Sequence, residues 1–222
     1  MTANEPTAAR PRPAVMTPAR VRTAKRRLRE NHAPFEALIE RVGPFRLKPE
    51  WEQQPFDALL RAIVFQSVST LAARKIYGRV LDAIGREADQ AGRVLELPPD
   101  RLREAGLSWA KVEACRDLAR HRLEGRLPAR SEAERLSDAE LIEAMTRIRG
   151  IGRWTVEMLL IFSLGRLDVL PVDDLGVRRG YQLAFRKRRE PTAKELRALG
   201  ESWQPYRSVA AWYLWRANDL DW

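Results

Sequence analysis

The sequence holds a single cysteine, Cys115, and only two histidines, His32 and His121. One thiol cannot close a disulfide within the chain, and it leaves no four-cysteine site for an iron–sulfur cluster or a structural zinc. Two histidines far apart in sequence argue against a histidine-rich metal centre and against a serine–histidine–aspartate triad. No apolar run approaches the roughly 20 residues of a membrane-spanning helix, and the N-terminus lacks the apolar core of a secretory signal. Also missing are a long repeat and any alternating apolar–polar stretch that reads as a strand. The expectation is a soluble intracellular protein with no membrane partner.

What is present is positive charge on a helical pattern. Forty Lys and Arg stand against 30 Asp and Glu, a formal net charge of +10, which favours polyanionic partners and nucleic acid first among them. The 222 residues are 45% hydrophobic, enough for one compact domain or two closely joined lobes. Residues 1–27 are rich in Pro, Ala and Arg with little apolar periodicity, and read as a basic, flexible tail.

Beyond the tail the chain reads as all-α with short loops. Phe35, Leu38, Ile39 and Val42 recur at helical spacing before Gly43. Phe56, Leu59, Leu60, Ile63 and Val64 form a second stripe, and Leu71, Ile76, Val80 and Ile84 a third, stopped by Gly85. Ser108 caps a helix carrying Val112, Cys115 and Leu118. Ser137 with Glu140 and Thr192 with Glu195 have capping-box spacing, and Leu136 with Leu141 makes a hydrophobic staple. Val156 to Leu164 is apolar almost all round, the mark of a buried helix, and Gly165 ends it.

Two short stretches carry chemistry. In Arg149-Gly150-Ile151-Gly152-Arg153, two glycines separate one helix from the next. Such a turn serves equally as a tight corner between core helices or as a phosphate site, where free N–H groups at a helix start face an anion. Phosphate contacts of that kind ignore base identity. Twenty residues on, Asp173 and Asp174 precede another helix, where aspartate is a favoured cap. Beside a phosphate-binding surface a carboxylate has a second use: it stabilises the oxocarbenium-like sugar that forms as an N-glycosidic bond breaks, and activates or steers a water.

These residues resemble the helix–hairpin–helix DNA glycosylase superfamily (HhH-GPD), and within it the AlkA-like 3-methyladenine DNA glycosylase II branch. The resemblance spans roughly residues 35–218. It is carried by Arg149 to Thr155, by Leu170-Pro171-Val172-Asp173-Asp174, by Ala62 to Ser69, and by Trp203 to Ser208 with Trp212 to Arg216. It implies a two-lobed helical fold with the active-site cleft between a central lobe, about 55–165, and a second lobe from 28–54 plus 166–222. The hairpin would occupy 148–153, and the extra N-terminal β-rich domain of AlkA is expected to be lacking. The family's catalytic aspartate falls on Asp174, leaving Asp173 to shape or cap the turn. Its pocket aromatics fall on Trp154 and Trp215.

The resemblance also implies DNA contacts from Gly150, Ile151, Gly152, Arg153, Thr155, Gln66 and Ser67. No cofactor is required. A monovalent cation, sodium or potassium, would sit on the backbone carbonyls of Thr146, Ile148 and Ile151 when DNA is bound. The partner implied is double-stranded DNA containing alkylated bases such as 3-methyladenine and 7-methylguanine, with the protein a monomer.

Bifunctional relatives carry a lysine nucleophile after the Gly-x-Gly-Arg of the hairpin. Here that position is Trp154, whose indole forms no Schiff base, so the lyase step should be missing. An electron-rich ring suits a positively charged alkylated base, although most tryptophans serve mainly to bury area. Two departures stand out: Ser67 is small where the family often places a bulky wedge, and Met158 replaces a pocket tyrosine. Both point to an open, less selective pocket. Two rivals remain open at this point, a non-catalytic DNA-binding module and a monofunctional glycosylase for uracil, an oxidised purine or a mismatched base. The run Arg186-Lys187-Arg188-Arg189 reads either as a solvated helix end or as a phosphate contact.

Overall fold

The computed structural model of the chain describes residues 12–85 and 89–222. Among the described residues thirteen α-helices follow one another: α1 (Pro18–Asn31), α2 (Ala33–Val42), α3 (Pro55–Phe65), α4 (Thr70–Ile84), α5 (Gln90–Glu96), α6 (Pro99–Glu104), α7 (Trp109–Leu123), α8 (Arg130–Ala133), α9 (Asp138–Met145), α10 (Arg153–Met158), α11 (Leu175–Ala184), α12 (Ala193–Gly200) and α13 (Arg207–Ala217). Among the described residues the β pairing is confined to a single bridge between Val15 and Arg166. The all-α expectation holds.

Local chemistry accounts for most helix ends. Ser69 and Ser108 accept from the Ala72 and Lys111 N–H groups at the starts of α4 and α7. Both capping boxes form, with Ser137 and Glu140 at α9 and Thr192 and Glu195 at α12. Each satisfies two N–H groups that the first turn of a helix leaves free. Gly43, Gly85 and Gly165 all take positive φ at the stops where glycine is expected.

The elements pack in two groups. Helix α7 lies against α3, α5 and α6, and α9 against α10. Helices α1, α2, α11 and α13 pack together around Phe35, whose ring meets Phe185 and Trp203 edge-on at 5.5 and 5.4 Å. Trp212 and Tyr213 belong to this core: Trp212 sits 4.6 Å from Phe45, and the Tyr213 hydroxyl donates to the Gly43 carbonyl at 3.0 Å. Burial pushes the Tyr213 phenol up to about 12.

The flexible-tail expectation is corrected from residue 12 onward; residues 1–11 lie outside those described. Thr17 accepts from the Arg20 N–H, Pro18 supplies the first turn, and α1 runs on to Asn31 with Ala24 and Leu28 buried. Just before it, the Met16 N–H donates to Gly165 at 2.7 Å and the Leu167 N–H to Ala14 at 3.0 Å, which lays residues 14–16 along the loop leading to Asp174. The apolar stripe of α1 is a few small residues among arginines and lysines, too thin to stand out by periodicity, yet it covers a real core face.

Candidate active site

Asp174 is the centre of a small hydrogen-bond cluster. Its Oδ2 accepts from the Trp154 indole Nε1 at 2.7 Å, and its Oδ1 from the Trp215 indole Nε1 at 2.8 Å. The Oδ1 also accepts from the Val177 N–H at 2.9 Å, capping α11. Capping and the candidate chemical role therefore fall on one residue. Of the two uses expected for Asp173, capping falls instead to the carboxylate of Asp174, while Asp173 is exposed and stands inside the turn that the Asp174 N–H closes onto the Pro171 carbonyl at 3.1 Å.

Each partner of Asp174 comes from a different element. Trp154 stands in the first turn of α10, directly after the glycine hairpin, and is 45% exposed. Trp215 comes from the last turns of α13 and reaches Asp174 because α11 presents glycines to α13. A Cβ on Gly176 would stand 3.0 Å from the Trp215 ring, and one on Gly180 would overlap the Leu214 carbonyl. The loop before Asp174 is tied to the start of α13. The Arg207 guanidinium grips Asp168 at 2.7 and 2.9 Å, and the Val169 N–H donates to the buried Ser208 hydroxyl at 2.9 Å.

Phe162 joins the cluster, and sequence reasoning missed it. Its ring stacks on Trp215 at 5.5 Å with 28° between planes, and it is 40% exposed. The signal was present as spacing, since Trp154, Met158 and Phe162 recur every four residues. Phe162 and Met158 also line an open cavity of about 220 Å³ together with Ala58, Ala62, Phe65 and Thr155. The continuous helix expected over Val156 to Leu164 is interrupted here by a π turn, Leu159–Ser163, with the Leu164 N–H donating five residues back to Leu159 at 3.0 Å.

The hairpin lies beside this cluster in the chain. Gly150 takes φ 77°, a conformation glycine adopts without strain. Gly152 begins α10 with no side-chain cap. The side chains of Ile151 and Thr155 are buried, so any contact they offer a partner is through backbone rather than a surface hydroxyl. Arg153 donates its Nε to the buried Glu157 at 2.9 Å while staying largely exposed. Burial pushes the Glu157 carboxyl up, and Arg153 partly offsets this. Gln66, distant in sequence, donates from Nε2 to the Gly150 carbonyl at 2.9 Å, and Ser67 beside it has φ 56°.

The carbonyls proposed for a cation, those of Thr146, Ile148 and Ile151, fall within or beside this turn. That of Ile148 accepts from the Ile151 N–H at 3.1 Å and keeps a second lone pair. An all-carbonyl set suits a hard monovalent ion. Among the described residues no group of His, Cys, Asp and Glu is placed to hold a metal. In the basic run, Arg189 is bound fork-to-fork to Glu195 at 2.7 and 2.8 Å, while Lys187 and Arg188 remain exposed.

A helical fold with a glycine hairpin, and an aspartate held between two indoles, defines a class. Residues 60–205 match the HhH-GPD superfamily of base excision DNA repair proteins, and the chain belongs to that family. Among its relatives, DNA-3-methyladenine glycosylase 1 of Schizosaccharomyces pombe is 38% identical over 188 residues, covering 84% of this chain and 82% of the relative. A structure of the S. pombe 3-methyladenine DNA glycosylase in complex with abasic DNA superimposes with a TM-score of 0.79 at 36% identity, covering 89% of this chain and 97% of that one. The DNA-3-methyladenine glycosidase of Bacillus halodurans gives a TM-score of 0.77 at 38% identity, covering 87% of each chain.

Proposed function

We propose that this protein is a monofunctional DNA glycosylase of base excision repair. It flips an N-alkylated base, 3-methyladenine or 7-methylguanine among others, out of duplex DNA and hydrolyses its N-glycosidic bond. The observation that carries this reading is the carboxylate of Asp174 fixed from both sides by the indoles of Trp154 and Trp215. The likeness to a glycosylase solved on abasic DNA, the polymer left once a base has gone, supports it.

The chemistry follows from the geometry. As the glycosidic bond breaks, its electron pair leaves with the base and positive charge develops on the sugar. The Asp174 carboxylate stabilises that charge. Its Oδ1 already accepts two donors, whereas Oδ2 accepts one, so Oδ2 keeps a lone pair to orient the attacking water. The water's oxygen bonds to the sugar carbon and its proton is lost to solvent or the leaving base. A base already positive from alkylation leaves readily and is held by aromatic faces through cation–π attraction. Met158, standing where a tyrosine would narrow the pocket, favours several alkylated bases over one. With Trp154 where a nucleophilic lysine would stand, strand cleavage does not follow. The hairpin amides, with Arg149 and Arg153 around them, seat a DNA phosphate, and the carbonyls of Thr146, Ile148 and Ile151 would hold a monovalent cation there.

Excision of 3-methyladenine and 7-methylguanine from alkylated duplex DNA tests this, with wild type beside Asp174→Asn. Wild type should release both bases and the variant far less of either, and borohydride should trap no covalent adduct. Release by neither protein, or equal release by both, removes the reading.

A further inference from the structure

Lys111 occupies the third residue of α7, a poor place for a cation because a helix start carries partial positive charge. Its ammonium is not spent on its own helix. It crosses to the end of α3 and donates to the carbonyls of Val64 at 2.8 Å and Gln66 at 2.6 Å. Those oxygens lie at the negative end of α3, where a cation is favoured. Burial holds the ammonium below the usual lysine range.

The two carbonyls bracket the point where the chain leaves α3. Gln66 is the last cap, and Ser67 follows at φ 56°, a left-handed conformation that serine rarely adopts. Ser67 and Val68 are exposed, Val68 to 38%. The same segment is tied to the hairpin, since the Gln66 amide donates to Gly150 at 2.9 Å. Helix α7 grips the hairpin as well: the Asp117 Oδ2 accepts from the Arg149 N–H at 2.8 Å. Lys111 and Asp117 stand six residues apart on one rigid helix, about 9 Å along its axis. Two loops distant in sequence are thus held at one separation by two polar side chains of a third element.

We propose that Lys111 is a positioning residue for base excision: together with Asp117 it locks the loop Gln66 to Val68 against the hairpin, so that Ser67 and Val68 meet the duplex as the hairpin seats on its phosphates. The proposal rests on the glycosylase reading. Lys111 touches no reacting atom; its loss leaves two carbonyls without their donor and lets Ser67 relax toward ordinary φ, which withdraws the loop.

The test compares Lys111→Met, Lys111→Arg and Asp117→Ala with wild type on alkylated duplex DNA. Alongside excision, 2-aminopurine placed next to the lesion reports unstacking, filter binding reports affinity for undamaged duplex, and thermal melting reports the fold. Lys111→Met should lose about 100-fold in kcat/KM and lose the 2-aminopurine signal, yet bind undamaged duplex as wild type does. Lys111→Arg, which still offers donors to both carbonyls, should keep most of the rate. Asp117→Ala should show the same split more weakly, and it carries the test if Lys111→Met does not fold. The proposal is overturned if the folded Met variant, or Asp117→Ala, excises and unstacks like wild type. It is also overturned if affinity for undamaged duplex falls in step with excision, or if the Arg variant fails as badly as Met. A wild type that releases no base is a different outcome, because it removes the glycosylase reading itself.

Discussion

Two helix starts, some twenty residues apart, are treated in opposite ways. At α10 the cap is Gly152, which brings no side chain, and Arg149 and Arg153 stand exposed around it. At α11 the cap is Asp174, whose carboxylate satisfies the first turn from within the protein. Both starts offer the same backbone N–H groups and the same partial positive charge. The first leaves them without a side-chain acceptor, open to the phosphate of the proposed reading. The second uses them, with two indole donors, to fix an inside anion at one position. One structural device, a helix start, is thus either left open to an anion from outside or closed on a carboxylate from within, with the cap residue deciding which.

The largest effect should come from weakening the second start. Asp174→Asn removes the charge while keeping the shape, and should lower base release by about 10²–10³-fold with little change in affinity for DNA. Quantifying released base at saturating enzyme against a binding isotherm separates the two. Next comes the packing that brings Trp215 to the carboxylate. Gly180→Ala places a methyl against the Leu214 carbonyl and should cost about 1–3 kcal/mol, read as a lower midpoint in urea unfolding. Gly152→Ala is the contrasting case. Gly152 has φ −93° and open space around its Cβ, so its unfolding midpoint should not move.

Trp154→Phe acts on one of the two indole donors at the second start. It keeps a ring but removes the donor to Oδ2, and should slow excision about tenfold while Trp215 and Val177 still hold Oδ1. The smallest effect belongs to the first start. Arg149→Ala should leave excision at saturation unchanged and reduce the slope of log affinity against log salt by about one. A slope equal to that of wild type would place the DNA phosphate elsewhere.

Much of this was legible in the sequence wherever the cause is local. Caps at Ser108, Ser137 and Thr192 and stops at Gly43, Gly85 and Gly165 need only a few neighbouring residues, and all stand where the pattern put them. Trp154, Trp215 and Asp174 were named through family resemblance, and the fold joins them. What stayed hidden depends on distant approach. Gly176 and Gly180 look like ordinary helix residues until α13 lies on them. Lys111 looks like a solvated cation until the end of α3 arrives beneath it. Helix α1 escaped because its buried face is only Ala24 and Leu28 among arginines and lysines. Asp173 and Asp174 were assigned separate tasks because adjacency in sequence does not say which carboxylate turns inward.

The π turn at Leu159–Ser163 sets a phase. An α-helix turns about 100° per residue, so one extra residue in a turn shifts everything after it by about that angle relative to everything before. Trp154 and Met158 lie upstream of the turn and Phe162 lies inside it. Regular α winding over the same residues would turn the chain after Ser163 by about that angle relative to Trp154 and Met158, even with every side chain of the pocket still present. The aromatic face beside Asp174 is thus specified by winding as much as by composition.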